Sequence, residues 1–103
     1  MLKIVLVDDE PLILKGLESI IPEFEQSIEI IGTAKNGAVA LDLFANQEVD
    51  VLLTDIEMPV MNGLELIDEW KKRQPATKTI VLSGFEDFHY VNAGFQRESK
   101  IIY

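Results

Sequence analysis

Acidic side chains stand directly after apolar runs at two places: Asp8, Asp9 and Glu10 follow Leu2 to Val7, and Asp55 and Glu57 follow Val49 to Thr54. A hydroxyl, Ser83, follows a third run, Thr79 to Leu82. If those runs are strands of one sheet, the aspartates meet at its edge. There they repel one another and hold protons more tightly unless a cation sits among them. Oxygen donors of this kind call for a hard divalent ion. Magnesium suits them, because it takes oxygen ligands in an octahedron, keeps several waters and accepts only one or two protein carboxylates beside phosphate oxygens. With such an ion present, one carboxylate can act as nucleophile toward a phosphoryl group, giving an aspartyl phosphate whose charge the ion offsets. Ser83 could then donate a hydrogen bond to a phosphoryl oxygen. Each piece alone has a plainer reading, since aspartates after a strand cap helices or solvate turns, and a serine can cap the next helix. What favours chemistry is that all of them fall at the same edge.

The elements that must position these groups follow from apolar spacing. Leu2 to Val7, Ile28 to Gly32, Val49 to Thr54 and Thr79 to Leu82 are short, nearly continuous apolar runs, as expected of buried parallel strands. Between them, Ile13, Leu17, Ile20 and Ile21 share one face of a helix that Pro11 opens and Pro22 closes. A second helix carries Val39, Leu43 and Phe44 after Asn36-Gly37, and a third carries Leu64, Ile67 and Trp70 between Asn62-Gly63 and Pro75. A weaker fourth carries Phe88, Val91 and Phe95, with Gly94 costing it roughly 1 kcal/mol relative to alanine. Alternation of strand and helix predicts an α/β fold: a doubly wound parallel sheet with helices on both faces. Ligand sites of such sheets lie beyond the carboxyl ends of the strands, where the acidic groups fall. Ser99 to Tyr103 begins a fifth strand with no fifth helix after it, so the single domain, residues 1–103, is read as incomplete at its carboxyl end.

Composition narrows the function classes. At 103 residues, 48% hydrophobic and 26% charged, the chain has the balance of one ordinary globular domain. The formal charge of −9 argues against direct nucleic-acid binding, which needs a basic face. No apolar run approaches the ~20 residues that cross a bilayer, and no secretory signal is present, so a cytoplasmic location is expected. With no cysteine, thiol chemistry and disulfides are excluded. His89, the only histidine, reads as plain surface.

The strings Ile4-Val5-Leu6-Val7-Asp8-Asp9-Glu10-Pro11, Leu53-Thr54-Asp55-Ile56-Glu57-Met58-Pro59, Met61-Asn62-Gly63-Leu64-Glu65-Leu66 and Val81-Leu82-Ser83-Gly84 resemble, in identity, order and spacing, those of the receiver domains of bacterial two-component response regulators. The resemblance runs from Met1 to about Gln96. It implies a flavodoxin-like sheet in order 2-1-3-4-5, Asp55 as phosphoacceptor, Asp9 as a direct magnesium ligand, Asp8 holding the ion through water, and the Glu57 backbone carbonyl coordinating it. By the same resemblance Ser83 is the hydroxyl that follows phosphorylation. The stretch Ser83 to Tyr90 is similar, more narrowly, to receivers fused to AraC-type DNA-binding domains. Two departures stand out. The family's lysine-proline pair would fall just past Tyr103, with Lys100 too early to replace the lysine, and the family's switch aromatic aligns with Ile102.

The function this implies is a phosphoacceptor rather than an enzyme, taking a phosphoryl group from a sensor histidine kinase to control an output, in the first instance transcription through a DNA-binding domain absent from this chain. The alternative is a receiver-like interaction module that is not phosphorylated. A nucleotide-binding flavodoxin-like protein is disfavoured, because the first turn presents carboxylates where a phosphate would want amides. An aspartate-nucleophile phosphatase is disfavoured because Asp55-Ile56-Glu57 lacks a second aspartate as general acid. An uncovered strand and helix face at the carboxyl end predicts self-association, with a homodimer as its form.

Overall fold

The computed structural model of the chain describes residues 1–24, 26–82 and 99–102. Its elements run β1 (Leu2–Val7), α1 (Pro11–Phe24), β2 (Ile28–Ala34), α2 (Gly37–Phe44), β3 (Val51–Asp55), α3 (Gly63–Arg73), β4 (Lys78–Leu82) and β5 (Ser99–Ile102). The strands form one sheet in the order β2-β1-β3-β4-β5, every neighbouring pair parallel. This is the expected doubly wound, flavodoxin-like order. The proposed fourth helix, with Phe88, Val91 and Phe95, lies outside the described residues, as do Ser83 and His89.

The alternation of each strand divides the core between two faces. Ile4, Leu6 and Leu53 face α1, where Leu14, Leu17 and Ile21 pack against them. Val5, Val7 and Leu52 face the opposite way, into a core with Ala40 of α2 and Leu66 and Trp70 of α3. Burying aliphatic or aromatic side chains of this size contributes roughly 1.5–3 kcal/mol each, which makes these two layers the main source of stability. Gly32 leaves the space that the Phe44 ring fills, and a Cβ there would overlap the ring.

Polar groups join α2, β3 and α3 at the edge of the second core. The indole N–H of buried Trp70 donates to Thr77 Oγ1 at 3.1 Å, and that hydroxyl donates to the Val49 carbonyl at 2.7 Å. The Gln74 amide donates to the carbonyls of Ala45 and Gln47, at 2.7 and 2.6 Å, and accepts from the Val49 N–H at 3.1 Å. Asp50 accepts from the Lys3 N–H at 2.8 Å. Val49 and Asp50 are thus tied by side chains, and β3 starts at Val51, two residues later than the apolar run implied.

Three details of the helices differ from the sequence reading. Pro22 does not end α1, which runs on to Phe24 with the proline inside it. The inward face of α1 is Leu14, Leu17 and Ile21, while Ile13 and Ile20 are 45% and 47% exposed. In α2, Ala40 is buried and Leu43 is exposed.

A candidate metal-assisted phosphoacceptor site

The acidic cluster is a consequence of strand register. Val7 at the end of β1 pairs with Thr54 on β3, so the residues that follow each of them, Asp8 and Asp55, come side by side. In the order β2-β1-β3 the chain reverses direction of winding between β1 and β3, which is the switch point where doubly wound sheets bind ligands. Carboxylate oxygens of Asp8, Asp9 and Asp55 lie within 4.8 Å of one another. The sequence-predicted acidic trio is therefore brought together, with Asp8 buried, Asp55 half-buried and Asp9 exposed.

Local hydrogen bonds fix two of the three. Asp8 Oδ1 accepts from the Glu10 N–H at 2.9 Å, turning the chain into α1, and the Asp8 N–H donates to the Ala34 carbonyl at 3.1 Å. Asp55 Oδ1 accepts from the Ile56 N–H at 2.8 Å, and the Thr54 hydroxyl donates to the Asp55 carbonyl at 2.9 Å. Glu57 is exposed and, with Asp9, Ile56, Met58, Pro59 and Asn62, lines a cleft of about 380 Å³ at the edge of the cluster. Ser83 follows Leu82, the register partner of Asp55, and falls outside the described residues. Lys100 pairs in register with Ile80, two rungs before the Leu82 and Ile102 pair that stands level with Asp55, in keeping with its reading as too early in the strand.

The electrostatics call for a counter-charge. Burial raises the Asp8 carboxyl above its ordinary proton affinity; the Glu10 N–H opposes this, and the negative charges of Asp9 and Glu10 add to it. Two carboxylates 4.8 Å apart repel by on the order of 3 kcal/mol at an effective dielectric of 20, before screening by salt. A cation removes that penalty. The donor set is all hard oxygen, and its spread slightly exceeds the ~4.2 Å between opposite corners of a magnesium octahedron, which leaves room for an ion that keeps its waters. The residues present fit magnesium.

Because the Asp8 pKa is raised in the fold, the folded chain binds more protons than the unfolded one between the ordinary aspartate value and the raised value. Stability should therefore fall as pH rises through that window and stay reduced above it. In metal-free buffer at neutral pH, Asp8→Asn, whose amide oxygen can still accept from Glu10, should raise the melting temperature. That gain should disappear as the pH falls below the ordinary aspartate range. Thermal melts of the two proteins from pH 3 to 8 check both signs, and a variant less stable than the parent at pH 7 would count against a repulsive cluster.

Three residues around the site have roles beyond their sequence reading. Gly63 was read as part of a turn, yet a Cβ there would strike the Asp55 carbonyl, so α3 can begin hard against the end of β3 only with glycine. Asn62 caps α3 in a reciprocal box with Glu65 while lining the cleft. Val60 has a φ of 72°, a left-handed conformation that no local residue preference announces.

A parallel sheet in this order, with the acidic side chains of Asp8, Asp9 and Asp55 gathered at its switch point, defines a flavodoxin-like α/β domain with an acidic cluster at its ligand edge. Residues 4–100 match the response regulator receiver domain family, and the chain belongs to it. Among its relatives, the transcriptional regulatory protein HptR of Staphylococcus aureus is 38% identical over 96 residues, covering 93% of this chain and 37% of HptR. The uncharacterized transcriptional regulatory protein YesN of Bacillus subtilis is 41% identical over 90 residues, covering 87% of this chain and 24% of YesN. The receiver domain of AraT, a response regulator from Geobacillus stearothermophilus, superposes with a TM-score of 0.87 at 30% identity, over 97% of this chain and 80% of that one. The chain thus spans less than two-fifths of the length of these curated relatives. No described helix is long and apolar enough to cross a membrane.

Proposed function

We propose that Asp55 is the phosphoacceptor of a magnesium-assisted site formed with Asp8, Asp9 and the backbone carbonyl of Glu57. The observation that carries the reading is the meeting of Asp8, Asp9 and Asp55 within 4.8 Å at the switch point of the sheet. Asp55 stands on β3, in the middle of the strand order, with one oxygen oriented by the Ile56 N–H. Its carboxylate attacks phosphorus, the bond from phosphorus to the donor's leaving group breaks, and the new acyl phosphate takes its place. Asp8 and Asp9, with the backbone carbonyl of Glu57, would hold the metal beside Asp55. When bound, magnesium offsets the charge of the carboxylates and the phosphoryl oxygens. Ser83 completes the site by donating to a phosphoryl oxygen. Family membership and the transcriptional regulators among the relatives support a sensor histidine kinase as donor and a DNA-binding output domain as the element controlled. The domain acts in the cytoplasm and assists its own phosphorylation and dephosphorylation.

Magnesium titration followed by amide chemical shifts tests the site. The parent should bind with the weak affinity of a largely hydrated ion, and Asp9→Ala should bind roughly tenfold more weakly or worse, as expected on loss of a metal-binding group. Equal affinities would remove Asp9 from the site. A second copy of this chain is a further proposed partner, supported by the apolar side chains of Leu2, Leu12, Ile13 and Ile20 that remain exposed. Light scattering over a dilution series should then show mass rising with concentration, and a constant monomer mass would count against the homodimer.

A further inference from the structure

Val60 is the only non-glycine residue with a positive φ among the described residues, and it is β-branched, the type least suited to that conformation. Its side chain is 83% exposed, so no packing offsets the strain. The Met61 N–H donates to the Pro59 carbonyl at 2.8 Å across it, closing a three-residue γ-turn of the rare, positive-φ kind. Such a turn persists only where the chain on either side is held. On one side Met58 is buried in the core beneath α2 and α3. On the other, the Gly63 N–H donates to the Ile56 carbonyl at 2.7 Å, and Asn62 and Glu65 close their capping box. Met61 lies between, with its side chain against Gly37 at the first residue of α2 and against the same core. Of these anchors, Met61 is the one made by a side chain immediately beside the strained residue.

We infer that Met61 is a positioning residue for the acidic site. By fastening the chain after Val60 to α2, it holds Val60 in its left-handed conformation and so keeps the Glu57 to Pro59 wall of the cleft beside Asp9. Once the anchor is removed, the preference of valine for negative φ draws the turn open and the wall moves away. The inference rests on the metal reading only where magnesium is the probe.

Four proteins test it: the parent, Met61→Ala, Val60→Asn and the double variant, asparagine being a residue that tolerates the left-handed region. Hydrogen exchange at the Gly63 amide reports closure of the loop without metal, and magnesium titration reports the site. Val60→Asn alone should leave both unchanged while raising the melting temperature. Met61→Ala should speed Gly63 exchange at least tenfold and weaken magnesium binding severalfold. Adding Val60→Asn should recover most of both losses, which a mere cavity under Met61 would not allow, since the cavity remains in the double variant. Met61→Leu, which keeps an apolar anchor, should behave as the parent. Should Met61→Ala fail to fold, Gly37→Ala takes its place in the cycle, because its methyl would meet the Met61 side chain at 2.9–3.1 Å and displace the anchor without deleting it. A double variant as loose as the single, or a loop that stays closed when Met61 is removed or displaced, overturns the inference. A parent that binds no magnesium sinks the metal reading, and the exchange pattern still decides the anchor.

Discussion

Treatment with acetyl phosphate and magnesium should place one labile phosphoryl group on this chain, and Asp55→Ala should abolish it. The expectation follows from position. Asp8 and Asp9 belong to the turn after β1, where Asp8 is buried and committed to the Glu10 N–H, whereas Asp55 ends the central strand with the other two carboxylates beside it. A small phosphodonor brings no partner surface of its own, so the test concerns the site alone. Intact mass before and after hydroxylamine reads the result, because an acyl phosphate is cleaved by that nucleophile and a phosphoserine is not. An adduct persisting in Asp55→Ala would move the nucleophile elsewhere. A parent that takes no adduct would favour the unphosphorylated interaction module.

Gly63→Ala should be the most damaging methyl group that can be added near the site. Its Cβ would overlap the Asp55 carbonyl oxygen and approach Ile56 Cα at 3.1 Å, and these are backbone atoms that cannot swing aside. To make room, α3 must move off the end of β3, which breaks the Gly63 N–H to Ile56 carbonyl bond and disturbs the Trp70 and Leu66 packing behind it. Overpacking of this kind costs about 3 kcal/mol or more when the neighbours are rigid. For a domain of this size that corresponds to a fall in melting temperature of more than about 10 °C. The phosphoryl adduct should be lost with it, since Asp55 carries the carbonyl that is displaced. By contrast, Gly16→Ala on α1, where nothing lies within 4 Å of the added Cβ, should be neutral or mildly stabilising, as alanine favours a helix. Denaturant melts of the two variants make the comparison, and a Gly63→Ala protein as stable as its parent would contradict the tight seating of α3 against the end of β3.

Much of this was legible in the residues. Continuous apolar runs marked the strands because both faces of a parallel sheet are covered, and the acidic groups marked the ligand edge because they followed those runs directly. The inward face of α1 was not legible. Leu12, Ile13, Leu14, Leu17, Ile20 and Ile21 cover so wide an arc that helical spacing alone does not say which part meets the sheet, and the packing selects Leu14, Leu17 and Ile21. Pro22 misled for a local reason: a proline near the end of a helix removes a single hydrogen bond, and the chain can stay helical for two more residues. Val60 was hidden because its backbone conformation is imposed by Met58, Met61 and Gly63 from either side, against its own preference. The cluster itself needed register as well as composition, since a slip of one residue between β1 and β3 would have parted Asp8 from Asp55.

The most direct test of the site uses beryllofluoride, which takes the place of a phosphoryl group on a carboxylate without making a stable covalent product. With magnesium present, fluorine NMR of the parent should show a bound signal that vanishes on chelation of the metal and is absent from Asp55→Asn, while the amides of Asp9, Asp55 and Glu57 shift together. A bound signal that survives in Asp55→Asn or in the absence of magnesium, or no bound signal at saturating beryllofluoride, would contradict a metal-assisted phosphoacceptor at Asp55.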